Sequence, residues 1–183
     1  LSKMYTSQWE WVVDELVKDP DSRRATIVIN QPYHKEKNPK DYPCTQYIHF
    51  FIRSGKLDMG IYMRSNDAVF GFCNDVFTFC LFQQLMLNQL NDRGLNVELG
   101  RYFHQAGSFH IYERHWKMMD KILDNYYISV VGSPYPETEK TVLKPDLTYR
   151  KLISLGSEIP LKDMSKTELF EHVEKIKGVI FDG

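Results

Sequence analysis

The feature that most constrains the fold is a pair of alternating segments separated by a short turn. Residues 45–53 and 56–64 are rich in β-branched and aromatic residues, and Ser54-Gly55 joins them. In the first segment Tyr, His and Phe alternate with Ile and Phe, so successive side chains point to opposite faces of a strand. A two-residue connection that contains glycine is typical of a β-hairpin. We therefore predict an antiparallel hairpin as the centre of the fold.

Helical patterns lie on both sides of this hairpin. Ser7 and Glu10 form a capping box ahead of an apolar stripe, which predicts a helix over 7–18. A second apolar pattern, from residue 74 or 75 to 91, ends just before Gly94, a position typical of a helix C-terminal cap. Further patterns predict strands over 25–30 and 101–112, and a helix over 113–125 with Trp116, Met119, Ile122 and Leu123 inward. The sequence therefore predicts an α/β (α+β) fold, with a mixed twisted sheet and flanking helices.

Composition narrows the classes of function. The 183 residues fit one domain, and a formal charge of −1 argues against a broad basic surface for nucleic acid. The three cysteines show no paired spacing, which favours a reducing cytoplasm. Polar residues interrupt the most apolar window, 68–90, so we expect no membrane span. No group of His, Cys and carboxylate residues has a metal-binding spacing, and we expect no metal.

Several reactive or charged side chains are candidates for a site. Cys44 follows a proline at the start of the hairpin, which places a thiol at the rim of the sheet; the alternative is an inert packing residue. Arg64 and Ser65 lie where the hairpin ends. The Arg64 guanidinium and the Ser65 hydroxyl can donate to a phosphate; the alternative is a solvated turn. Arg23-Arg24 poses the same choice.

His110 and Tyr112 form a further candidate pair. They are two residues apart in a predicted strand, so both side chains point the same way and can hold one hydroxyl group. A histidine packed beside a tyrosine in the core is the alternative.

Four short motifs then occur in order along the chain. They are Asp21-Ser22-Arg23-Arg24, Pro43-Cys44, Arg64-Ser65-Asn66-Asp67 with Phe70-Gly71, and Gly107-Ser108-Phe109-His110-Ile111-Tyr112. Over about residues 5–120 they resemble the signature of the thymidylate synthase family. Segments 63–67 and 70–75 are more similar to the phage deoxycytidylate hydroxymethylases within that family. The resemblance implies a thymidylate synthase-type fold and a homodimer in which two sheets pack back to back.

The identity of residue 75 bears on the choice of base. In thymidylate synthases an asparagine four residues past the glycine reads the uracil edge, and Asp75 stands four residues past Gly71. An ionised carboxylate only accepts hydrogen bonds, so it would repel O4 of uracil and accept from the 4-amino group of cytosine. The resemblance therefore implies a cytidine-type nucleotide. The alternative for Asp75 is that it caps the following helix.

The family's mechanism implies roles for the other candidates. Cys44, as a thiolate, would add to C6 of the pyrimidine and make C5 nucleophilic toward the methylene group of 5,10-methylenetetrahydrofolate. Arg64 would bind phosphate and lower the pKa of the thiol. Catalytic residues would be Cys44, Asp75 and Arg64; nucleotide-binding residues Arg23, Arg24, Ser65, Asp75, His110 and Tyr112; and folate-binding residues Asp67 and Gly71. Arg23 and Arg24 would cross to the other subunit's site.

The resemblance leaves two alternatives for function. Met63 and Thr45 replace the glutamine and histidine usual in thymidylate synthases, which favours dCMP hydroxymethylation over the leading alternative, a thymidylate synthase acting on dUMP. The amino-terminal part of the family fold has no counterpart before Leu1, so a non-catalytic nucleotide-binding or dimerisation module is the alternative of another class. We expect a catalytic core over 1–127 and an extension of the same domain over 128–183, with a helix at about 165–178.

Overall fold

The structure is a computed structural model that describes residues 7–35, 42–132, 142–143, 171 and 181–182. The helices are α1 (Gln8–Lys18), α2 (Gly71–Asp92) and α3 (Trp116–Gly132), and the strands are β1 (Thr26–Val28), β2 (Thr45–Arg53), β3 (Lys56–Met63), β4 (Asn66–Asp67), β5 (Glu98–Ala106), β6 (Phe109–His110), β7 (Val142–Leu143) and β8 (Phe181–Asp182). The helix α3 continues through residue 127. Most of the predicted extension over 128–183, including its helix at 165–178, lies outside the described residues.

The largest sheet has the order β1-β2-β3-β5. Strands β1, β2 and β3 pair antiparallel, and β5 adds to β3 in parallel, so the sheet is mixed. The predicted hairpin is confirmed: Ser54 and Gly55 both have positive φ, at 52° and 72°, as the tight turns of two-residue hairpins require. Strands β4 and β6 form a separate parallel pair. The predicted α/β fold is thereby confirmed.

The core lies between one face of the large sheet and the helices α1 and α2. Ser7 caps α1 by accepting a hydrogen bond from the backbone N–H of Glu10. Trp9 packs edge-on against Phe50, with the ring centroids 5.9 Å apart, and its indole N–H donates to Gln89 of α2. The other face of the sheet is not covered by these helices, and it carries much of the exposed aromatic surface.

An extra residue in β5 distorts its pairing with β3. Leu57 pairs with Leu99 but Met59 pairs with Tyr102, so β5 bulges around Gly100 and Arg101. Two buried side chains form hydrogen bonds with the backbone groups at the bulge. The Asp58 carboxylate accepts from the backbone N–H and the guanidinium of Arg101, and the Gln83 amide donates to the carbonyls of Leu57 and Arg101. Burial of these polar groups is tolerated because each has partners.

Three expectations about the elements are wrong. The strand predicted over 101–112 is broken, because β5 ends at Ala106 and a turn precedes β6. The helix α2 begins at Gly71, ahead of its predicted start, because a side chain outside the helix caps it. The side chains of Trp116, Ile122 and Leu123 are 51–57% exposed rather than inward. An apolar period identifies a stripe on a helix but not the element that covers it.

Candidate active site

A pocket of about 280 Å³ opens where the hairpin ends meet the N-terminus of α2. The register places Thr45 opposite Met63, so the start of β2 and the end of β3 share one edge. The pocket is lined by Cys44, Thr45, Met63, Ser65, Asn66, Asp67, Gly71, Asp75, His110 and Tyr112. The structure therefore gathers most of the predicted site residues around one cavity, although they come from four separate segments of the chain.

The thiol of Cys44 is exposed and not in a disulfide, which excludes the packing alternative. Hydrogen bonds to the backbone hold its segment. The carbonyl of Cys44 accepts from the backbone N–H of Arg64, at 2.9 Å, and from the side chain of Gln46. The candidate nucleophile, Cys44, thus lies at the pocket rim on a segment whose backbone is held by hydrogen bonds.

Arg64 has a different position from the one that its predicted role suggests. Its guanidinium donates to the carbonyl oxygens of Tyr42, at 2.9 Å, and Pro43, at 3.2 Å. Among the described residues it does not line the pocket. These two hydrogen bonds from Arg64 hold the segment that carries Cys44.

Arg23 and Arg24 also lie away from the pocket of their own chain. Both precede β1, and the guanidinium of Arg24 pairs with Glu15 of α1 at 2.7 Å. Hydrogen bonds from Ser22 and then Arg24 lower the pKa of Glu15 against the opposing effect of burial. A phosphate ligand of Arg24 would therefore compete with an existing ion pair.

Asp67, and not Asp75, caps α2. The Asp67 carboxylate accepts from the backbone N–H groups of Val69, Phe70 and Gly71 at 3.1–3.4 Å. Desolvation works in the opposite direction, but these amide hydrogen bonds lower the pKa of Asp67. Asp75 lies in the second turn of α2, so the capping alternative for it is wrong.

Gly71 allows α2 to approach β4 closely. A Cβ at Gly71 would lie 3.2 Å from the side-chain nitrogen of Asn66 and 3.3 Å from Cβ of Asp67. Contacts this tight would push on the pocket lining, so the glycine has a packing role whether or not it touches a ligand.

Sequence reasoning missed a series of part-buried side-chain hydrogen bonds that begins at Asp75 of the pocket. Asn66, which is 3% exposed, donates from Nδ2 to Oδ2 of Asp75 at 2.5 Å. Oδ1 of Asn66 is 3.1 Å from Nε2 of His104, and Nδ1 of His104 is 2.6 Å from the hydroxyl of Tyr102. Tyr102 and His104 are two residues apart in β5, so their side chains lie on one side of the strand. The sequence alone shows this spacing. Their partners come from distant segments and could not be identified from that spacing.

His110 and Tyr112 lie together at the pocket, as predicted. Their rings meet edge to face with centroids 4.9 Å apart. The backbone of His110 is fixed by its pairing with Asp67 and by a hydrogen bond from Ala68. The guanidinium of Arg114 lies over the Tyr112 ring, 4.6 Å from its centroid.

The sequence profile of the thymidylate synthase family matches residues 2–132. The chain belongs to the thymidylate synthase family. It is 32% identical over 121 residues to the deoxycytidylate 5-hydroxymethyltransferase of Enterobacteria phage T4, an alignment that covers 62% of this chain and 49% of that protein. It is 35% identical over 103 residues to the deoxyuridylate hydroxymethyltransferase of Bacillus phage SP01, covering 55% of this chain and 26% of that protein.

A solved structure shows the same fold. The thermostable thymidylate synthase A from Bacillus subtilis superposes with a TM-score of 0.64 at 23% identity, over 82% of this chain and 49% of that one. The family resemblance and the fold predicted from the motifs are thus confirmed. The chain spans about half the length of the phage T4 relative.

Two further features concern the described residues only. None of their helices is long and apolar enough to cross a membrane. No three His, Cys, Asp or Glu side chains among them are grouped as metal ligands.

Proposed function

We propose that this protein transfers a one-carbon unit from 5,10-methylenetetrahydrofolate to C5 of a pyrimidine nucleoside monophosphate, with dCMP as the preferred substrate and 5-hydroxymethyl-dCMP as the product. The observation that carries the proposal is that Cys44 and Asp75 line the same pocket. The family and its phage hydroxymethyltransferase relatives support it.

In the proposed reaction Cys44 is the nucleophile. Its thiolate forms a bond to C6, and C5 then attacks the one-carbon unit that the folate supplies at the oxidation level of formaldehyde. Loss of the C5 proton and departure of tetrahydrofolate leave an exocyclic methylene on the base. Water adds to that carbon and loses a proton, and elimination of Cys44 restores the aromatic ring.

Asp75 would select the base. One of its oxygens is occupied by Asn66, which leaves Oδ1 to accept from the 4-amino group of cytosine. Uracil offers a carbonyl oxygen at that position, and an ionised carboxylate repels it. Because one phage relative is named for deoxyuridylate, dUMP is the second candidate substrate.

The remaining pocket residues suit the other parts of the substrates. Ser65 offers a hydroxyl donor for phosphate, and His110 with Tyr112 would hold the sugar hydroxyl. Asp67 and Gly71 would contact the folate, and both line the pocket. These residues supply polar groups and space that support the proposed binding of both substrates.

We also propose that two copies pack through the uncovered face of the large sheet. Tyr47 and Phe103 on this face are 41% and 43% exposed, and the rings of Phe51 and Phe103 stack across it. Nε2 of His49 is buried there and has no hydrogen-bond partner among the described residues. His49 pairs with Thr26 of β1, so a second copy on this face would lie close to the start of β1. Such packing supports Arg23 and Arg24 as phosphate ligands in the partner's pocket.

Release of tritium from nucleotides labelled at C5 tests the proposal. With methylenetetrahydrofolate present, we expect faster release from dCMP than from dUMP, because release reports substitution at C5 whatever captures the methylene. Cys44→Ser should lower the rate by about three orders of magnitude or more. Cys73→Ser is the matched control, since that exposed thiol lies on α2 outside the pocket lining.

The outcomes separate the alternatives. Equal rates in the parent and in Cys44→Ser would indicate a nucleotide-binding or dimerisation module. Faster release from dUMP would leave the transferase reaction standing but contradict the role of Asp75.

A further inference from the structure

We infer that Asn66, held in one orientation by His104, is a positioning residue that makes Asp75 a fixed hydrogen-bond acceptor and thereby sets the preference for cytosine over uracil. The inference rests on the proposed function. It concerns two residues behind the reacting groups, neither of which forms or breaks a bond to the substrate.

The direction of each hydrogen bond follows from the groups present. An ionised Asp75 can only accept, so Asn66 must turn its NH₂ group toward Oδ2 of that carboxylate. Oδ1 of Asn66 then points the other way and can only accept, so Nε2 of His104 must carry a hydrogen. In a neutral imidazole the other nitrogen is an acceptor, and the hydroxyl of Tyr102 donates to it.

Burial keeps this arrangement neutral behind the carboxylate. Desolvation lowers the pKa of His104, although the charge of Asp75 opposes the shift. Desolvation likewise raises the pKa of Tyr102, which remains a hydroxyl donor. The ring of Phe72 packs edge-on against His104, with the centroids 5.2 Å apart, and restricts the imidazole further.

The backbone around Asn66 is equally fixed. Its N–H donates to the carbonyl of Ser108 at 2.8 Å, and the residue pairs with Phe109 between β4 and β6. A buried amide with both ends bonded and a fixed backbone has one favoured rotamer. Oδ2 of Asp75 is therefore held in a constant position, which leaves Oδ1 as the oxygen for a ligand in the pocket that Asp75 lines.

Loss of the His104 donor would release this constraint. Without it the Asn66 amide can turn over, and its Oδ1 would then face the carboxylate in place of the NH₂ donor. Asp75 would lose the hydrogen bond that fixes its acceptor oxygens, so discrimination between the two bases should fall. A purely structural role would instead weaken both substrates equally.

The test compares dCMP with dUMP in the natural full-length protein, by equilibrium binding of each nucleotide and by tritium release. We expect Asn66→Ala and His104→Phe each to lower the dCMP to dUMP ratio of kcat/KM, and of binding, by about tenfold or more. His104→Gln keeps an N–H donor and should retain most of the preference. Asn74→Ala is the matched control, because that exposed amide adjoins Asp75 but donates to the backbone of Phe70.

Each outcome decides the inference. An unchanged ratio in Asn66→Ala and His104→Phe, with both substrates weakened equally, overturns it while the proposed function stands. If Asn66→Ala does not fold, a preference that is lost in His104→Phe and kept in His104→Gln supports the inference, and equal ratios in these two variants overturn it. A parent protein that binds neither nucleotide overturns the proposed function and the inference with it.

Discussion

Asp67 and Asp75 are eight residues apart in the sequence, and their hydrogen bonds give the two carboxylates different roles. The Asp67 carboxylate accepts from the N–H groups of Val69 and Phe70, just before α2, and of Gly71, its first residue, whereas Asp75 accepts from a side-chain amide and lines the pocket. A carboxylate that accepts backbone amides serves the helix terminus, where unpaired donors and the helix dipole favour negative charge. A carboxylate inside the second turn has no such partners and remains available to a ligand.

At this scale we predict that Asp75→Asn shifts the substrate preference toward dUMP. A carboxamide can donate to O4 of uracil and still accept from Asn66, so the site would lose its repulsion of uracil. The ratio of kcat/KM for dCMP to that for dUMP, measured by tritium release, should fall by about tenfold to a hundredfold. Asp92→Asn, at the exposed end of the same helix, should leave the ratio unchanged. A ratio that also stays constant in Asp75→Asn would show that this residue does not read the base.

At the scale of elements, the bulge in β5 determines which residues of that strand lie next to the site. The extra residue interrupts the ladder between β3 and β5, and Asp58 and Gln83 satisfy the groups that it exposes. Beyond the bulge the pairing resumes and places His104 opposite Ile61. The bulge therefore sets the register that brings His104 to Asn66.

We predict that Gly100→Ala strongly destabilises the chain. A Cβ at Gly100 would lie 2.6 Å from the carbonyl oxygen of Leu57, and backbone in a sheet cannot easily move away. The free energy of unfolding, measured with urea, should fall by about 3 kcal/mol. Gly60→Ala in β3 is the control, because a Cβ there has no described atom of the chain within 4 Å. Equal stability of the two variants would contradict the strained geometry at the bulge.

At the scale of the whole molecule, the large sheet has one face covered by its own helices and one face that those helices leave uncovered. The first face buries the aliphatic residues of the hairpin, and the second exposes aromatic rings in a row across β2, β3 and β5. Exposed aromatic surface on a sheet is typical of an interface. The placement of Arg23 and Arg24 away from their own pocket is consistent with sites completed between copies.

We predict that Phe103→Glu yields a monomer. Its charge would be buried between the two sheets, and the Arg101 guanidinium that lies over this ring already bonds Asp58, so the burial is unfavourable. Sedimentation should show a dimer for the parent and a monomer for the variant, and nucleotide binding should weaken because the crossing arginines are lost. Phe77→Glu, at an exposed ring of α2, should remain dimeric. A parent that sediments as a monomer, or a dimeric Phe103→Glu, would exclude this face as the interface.

Much of the fold and the site could be predicted from local pattern and motif order. The hairpin bounds, the capping of α1 by Ser7 and the C-terminal role of Gly94 depend on neighbours in sequence, and the structure agrees with each. The break after Ala106 was not predicted, because residues 107–112 keep an extended pattern while pairing with a different strand. The site motifs identified the pocket residues, but the resemblance gave Arg64 a position at the pocket that the structure does not show.

Local sequence was sufficient to predict most helices and strands and the residue types available for chemistry, because periodicity, caps and turns act over a few neighbouring residues. Tertiary contacts determine which aspartate, Asp67 or Asp75, bonds the start of α2. They also determine which side chains hold the other aspartate in place. Those choices depend on contacts between segments far apart in the chain, such as Asn66 with His104. Spacing along the sequence does not indicate such contacts, because they form only when the sheet and α2 pack together.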